Sequence, residues 1–102
     1  VMINLDMVGS AIKVPLSVAN GEEYVDDLKL EFLELAKSLS IEAEASRINA
    51  SDHLWFGEKG VPAVMLSHFD IRSGYHSPND TVEDIDTEQL KTVMRLVLFY
   101  ID

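Results

Sequence analysis

Apolar residues fall into short runs and two helix-spaced stripes. Val1 to Leu5 is a compact apolar run closed by Asp6 and followed by Gly9 and Ser10. That pattern predicts a buried strand with an acid at its carboxyl end. Ile12 to Ala19 alternates imperfectly and contains Pro15, which predicts an edge strand or extended loop. Asn20-Gly21-Glu22-Glu23 reads as a helix start, with Asn20 as cap and Glu23 completing a capping box. Val25, Leu28, Phe32, Leu35 and Leu39 then recur at spacings of three and four, which gives one apolar helix face. Asp26, Asp27, Glu31 and Glu34 fall on the other, solvated faces.

Ile41 to Arg47 alternates apolar and polar residues and predicts a strand. A short helix is expected from Ser51 or Asp52 to Lys59, capped by Asp52 and stopped by Gly60 and Pro62. Ala63 to Leu66 predicts an interior strand, and His68 to Asp80 a polar loop. Asp86 is placed to cap a final helix, with Leu90, Val93, Met94, Val97, Leu98 and Ile101 as a wide apolar stripe. Its last residues, Leu96 to Ile101, are expected to be buried. Trp55 and Phe56 are expected in the core or a pocket wall, Trp55 the more exposed; Met7 and Met65 are expected in the core. Alternating strands and helices of this kind indicate an α/β layered domain with a mainly parallel sheet, residues 1–102 forming one unit or a piece of one.

Composition narrows the function classes. The formal net charge is −10, with 18 acidic residues against 8 basic ones. No basic stripe is available for a nucleic acid or an anionic membrane surface. No apolar run approaches the roughly 18 to 20 residues that span a bilayer. Without cysteine, any metal site must use His, Asp and Glu, the ligand types of catalytic zinc or magnesium. The chain opens on Val1 inside a strand-like run, so a natural N-terminus further upstream is expected.

In open α/β sheets, ligands gather at the carboxyl ends of strands. Asp6 ends the first strand, and the His68 to Asp80 loop follows the last. A carboxylate and an imidazole converging there could share a metal. A lone aspartate at a strand end is more often an ordinary turn residue. Ser51-Asp52-His53 is not a catalytic triad, because triads are assembled across a fold rather than from adjacent residues. That segment is read as support for the site, and His53 and His68 as packing or loop histidines.

Three segments together resemble a known family. Asn4-Leu5-Asp6-Met7-Val8-Gly9 is similar to the N-x-D-M-x-G segment of the aminopeptidase Y family of di-zinc exopeptidases. Ser51-Asp52-His53, then Phe56, then Gly60-Val61-Pro62-Ala63, resembles its S-D-H-x-x-F-x-x-x-G-(I/V)-P-A stretch. Tyr75-His76-Ser77-Pro78-Asn79-Asp80-Thr81 resembles its Y-H-(T/S)-x-x-D-T segment. The resemblance implies a partial three-layer α/β/α domain that lacks the N-terminal half of the family fold. It implies Asp6 as a terminal ligand of one zinc, His76 as a ligand of the other, and Tyr75 as a donor to the oxyanion of the tetrahedral intermediate. Asp80 is placed either to orient the His76 imidazole from behind or to cap the turn or helix start that follows.

The bridging aspartate, a further histidine, a further carboxylate and the glutamate base lie upstream in that family. The intact enzyme would therefore hold two zinc ions and take a peptide with a free N-terminus. This chain alone is expected to be inactive and to bind zinc weakly or not at all. Its partners would be the missing N-terminal half of the domain or, through an exposed sheet edge, a second copy. The same resemblance leaves a non-catalytic protease-like binding domain, a glutaminyl cyclase-type zinc acyltransferase and a carboxypeptidase-type relative as alternatives. It suggests a secreted or cell-envelope location.

Overall fold

The computed structural model describes residues 1–21, 27–70 and 74–102. Four strands run β1 (Met2–Leu5), β2 (Leu16–Asn20), β3 (Ala43–Arg47) and β4 (Ala63–Ser67). The helices are α1 (Asp27–Ser38), α2 (His53–Glu58) and α3 (Thr87–Ile101), the last preceded by a 3-10 turn at Val82–Asp84. The strand order is β1-β4-β2-β3. β1 lies parallel to β4, with Met2 opposite Ala63, and β2 lies parallel to β3, with Leu16 opposite Ala43. β2 and β4 are antiparallel, Val18 facing Leu66. The sheet is therefore mixed: two parallel pairs joined by one antiparallel seam.

Period-two alternation sorts the strand residues between the faces. Leu16, Val18, Val64 and Leu66 join Leu28, Phe32 and Ala36 of α1 and Val93 and Leu96 of α3 in one buried cluster. The Phe32 ring also stacks on Tyr100, centroids 4.5 Å apart. Ala19, Ala63 and Met65 are buried outside that cluster, and α2 contacts β1, β2 and β4.

Several expectations are corrected. The segment around Pro15 is not an edge: β2 lies between β4 and β3, with Leu16, Val18 and Ala19 buried. Pro15 stands one residue ahead of the strand, so its missing N–H falls outside the ladder. Asn20, expected as a helix cap, precedes a stretch whose amides lie outside the described residues. It closes β2, and its side chain accepts a hydrogen bond from Lys29 Nζ. The capping box at Glu23 lies outside the described residues.

Asp86 does cap α3, its carboxylate accepting from the Glu88 amide at 2.9 Å. Asp52 makes no such bond to α2. Within α3 only Val93 and Leu96 are fully buried, while Met94, Leu98, Phe99 and Ile101 are exposed. An apolar stripe this wide exceeds the strip of helix the sheet can cover. Trp55 and Phe56 are likewise exposed rather than core. At the sheet margin, β1 has no partner on its outer side among the described residues.

Candidate functional site

Because β1 and β4 are parallel, their carboxyl ends emerge side by side. The Asp6 amide donates to Leu66 O at 3.2 Å, and the His68 amide to Met7 O at 3.0 Å, so the ladder continues into the turn that carries Asp6. Met7 has φ 58° and Gly9 φ 85°, both left-handed. At Gly9 a side chain is excluded twice, by that φ and by Leu90, whose Cδ2 would lie 2.5 Å from a Cβ. Met7, expected in the core, is only half-buried and lines the cleft instead.

The second contributor is the loop after β4. Gly74 and His76 are also left-handed, with φ 82° and 57°. The turn is held by the Ser77 amide donating to Gly74 O at 3.0 Å and the Asp80 amide to Ser77 O at 3.1 Å. A left-handed non-glycine residue costs roughly 1–2 kcal/mol, and such strain concentrates at functional sites. Residues 71–73 of this loop lie outside the described residues.

Asp6, Tyr75, His76 and Asp80 all line one cleft of about 560 Å³, with Met7, Met65 and Phe69 as its apolar part and Arg47 as its cation. Asp6 and His76, 70 positions apart in sequence, thus open onto the same space. Asp6 is held in place: Ser51 Oγ donates to its Oδ2 at 2.5 Å, and Asn4 Nδ2 donates to Ser51 Oγ at 2.7 Å. The His76 ring stacks on Tyr75 at 3.7 Å, and Tyr75 meets Phe69 edge-on at 5.0 Å. Asp80 is exposed, and its carboxylate makes no hydrogen bond to His76.

Sequence reasoning placed Ser51 near the site without a task. Its bond to Asp6, and the Asn4 side chain behind it, could have been sought in the Asn4 and Ser51 positions of the two resembling segments. Arg47 and Phe69 carried no sequence signal for the cleft.

The other histidines are structural. His53 is buried, and its Nε2–H donates to Ile48 O at 2.7 Å. His68 is buried too, and its Nδ1 accepts from the Gly9 amide at 2.9 Å. Burial pushes the His68 imidazole below its usual value, partly offset by the Asp86 carboxylate.

Whether these residues fit zinc depends on the donor set. One oxygen and one nitrogen donor, a carboxylate fixed through Oδ2 and an exposed imidazole, suit the ion at two positions. Among the described residues no three His, Asp or Glu side chains converge closely enough to close a site. The described residues therefore fit part of a zinc site.

The peptidase family M28 model matches residues 1–101. Among solved structures, the aminopeptidase from Aneurinibacillus sp. strain AM-1 is 30% identical with TM-score 0.84, over 94% of this chain and 23% of that one. BSAP, a zinc aminopeptidase from Bacillus subtilis, is 24% identical with TM-score 0.81, over 93% of this chain and 25% of that one. The LapA aminopeptidase of Legionella pneumophila is 19% identical with TM-score 0.76, over 92% and 27%. The latter two likenesses concern the fold alone. Among curated proteins none matches. The chain thus spans about a quarter of the length of these solved relatives. It belongs to peptidase family M28.

Proposed function

We propose that this M28 chain supplies one side of the active site of a zinc-dependent aminopeptidase, with Asp6 and His76 as ligands and Tyr75 as a catalytic donor. The observation that carries the reading is the shared cleft: a carboxylate from the end of β1 and an imidazole from the loop after β4 face one space. Membership of peptidase family M28 and the 30% identical aminopeptidase from Aneurinibacillus support the choice of reaction, and the carboxylate and imidazole donors support the choice of metal.

Each residue has a task its surroundings allow. Ser51 occupies Asp6 Oδ2 and so leaves Oδ1 for a cation. Stacking on Tyr75 limits rotation of the His76 ring. The Tyr75 hydroxyl donates to the oxygen of the scissile carbonyl as charge develops there. Asp6 and Asp80 make this part of the cleft attractive to the α-ammonium of a peptide N-terminus. Zinc, when bound, supplies positive charge that polarises the carbonyl and acidifies water. The remaining ligands and the general base come from the portion of the domain that the longer relatives contain and this chain does not.

The test uses the complete M28 domain. Asp6→Ala and His76→Ala should each lower bound zinc and abolish chelator-sensitive hydrolysis of aminoacyl p-nitroanilides, while residues 1–102 alone should hydrolyse none. Undiminished zinc content and turnover in both variants would sink the assignment.

A further inference from the structure

We infer that His68 is a positioning residue for the Asp6 carboxylate, holding the Met7–Gly9 turn through a ring nitrogen that accepts and a backbone amide that donates. This rests on the reading of Asp6 as a ligand. The ring is 2% exposed, on the residue that directly follows β4. Its backbone N–H donates to Met7 O at 3.0 Å, and its Nδ1 accepts from the Gly9 amide at 2.9 Å. Both bonds fall within three residues of Asp6, and they bracket a turn in which Met7 and Gly9 are both left-handed.

The β1–β4 ladder reaches this turn only as far as Met7 O, and Gly9 lies beyond it. Gly9 is buried, and its amide requires an acceptor. The Gly9 carbonyl accepts from the Asp86 amide at 2.7 Å, so His68 completes the polar accounting of Gly9. Because Nδ1 accepts, the ring proton sits on Nε2 and the imidazole is neutral. An imidazolium would present a second N–H to the Gly9 N–H and drive the turn apart. The lowering of the imidazole's proton affinity by burial favours the same neutral form.

The opposing interpretation is that His68 merely fills space. The two differ in what an apolar residue of similar bulk would do. In the complete M28 protein, His68→Leu keeps volume and removes the acceptor, whereas His68→Asn keeps an acceptor close to the position of Nδ1. Zinc affinity would be read by chelator competition, and the Gly9 amide by its proton and nitrogen shifts in metal-free protein, with melting curves to establish folding.

His68→Leu should weaken zinc binding about 10–100-fold, the usual loss for a residue supporting a ligand, and should move the Gly9 amide proton upfield. His68→Asn should stay within a few-fold of wild type on both readouts. A folded His68→Leu protein that binds zinc like wild type, with the Gly9 amide unmoved, overturns the inference alone. Equal losses in the Leu and Asn variants overturn it too. No zinc binding by the wild-type protein overturns the ligand reading and this inference with it. Should His68→Leu not fold, His68→Gln against His68→Asn carries the test, since the extra methylene displaces the acceptor and should reproduce the loss.

Discussion

Under α1 and α3, Leu16, Val18, Phe32, Val64, Leu66, Val93 and Leu96 are sealed from solvent. At the carboxyl ends of β1 and β4 the cleft residues Tyr75, His76 and Asp80 stand exposed, and two of the three left-handed non-glycine residues among the described residues, Met7 and His76, are found there. The first region is held by area removed from water, the second by single hydrogen bonds to particular atoms. Burial is tolerant of which apolar residue supplies it, whereas a bond such as Ser51 to Asp6 depends on one oxygen. Stability and ligand geometry should therefore respond to different substitutions.

The largest effect should come from the sealed side. Phe32→Ala empties a fully buried site stacked on Tyr100 and should cost about 3–5 kcal/mol in a urea melt, leaving zinc-site geometry unchanged wherever the protein stays folded. Gly9→Ala tests the joint between the regions. Its Cβ would press on Leu90 from a left-handed backbone, a cost of about 1–3 kcal/mol, and it should also weaken zinc binding, unlike Phe32→Ala.

Ser51→Ala should do the reverse of Phe32→Ala, with zinc affinity of the complete domain falling about 10–100-fold and the melting midpoint little changed. A large loss of stability in this variant would erase the distinction between the regions.

The pH response is smaller and has a definite sign. The folded His68 imidazole lies below its ordinary value of 6.5, so between the two values the unfolded chain binds more protons. Its contribution is complete above about 6.5 and is lost as pH falls through the lower folded value. Melts of wild type against His68→Asn, which keeps an acceptor and does not titrate, should run parallel above that window, and wild type should lose stability relative to the variant as pH falls through it. Smallest of all, Met94→Lys and Leu98→Glu on the exposed face of α3 should shift stability by no more than about 0.5 kcal/mol.

The strands β1, β3 and β4, the apolar face of α1 and the Asp86 cap were legible because each depends on residues within one or two turns of chain. So was membership of the cleft for Asp6, Tyr75, His76 and Asp80, through three short segments in order. The interior place of β2 was not legible, since Pro15 suggests an edge whenever its distance from the ladder is unknown. Nor was the exposure of Phe56 and half of α3, because an apolar residue carries no mark of which neighbour arrives to cover it.

Local pattern was enough to set the element types, the acidic end of β1 and the kind of donors a metal could find. Strand order, the antiparallel seam, and the bonds from Ser51 to Asp6 and from His68 to Gly9 emerged only in three dimensions. The seam and both bonds join residues 45 or more positions apart. Periodicity reports the environment of a residue averaged over its own element, while a hydrogen bond between distant residues depends on how whole elements pack.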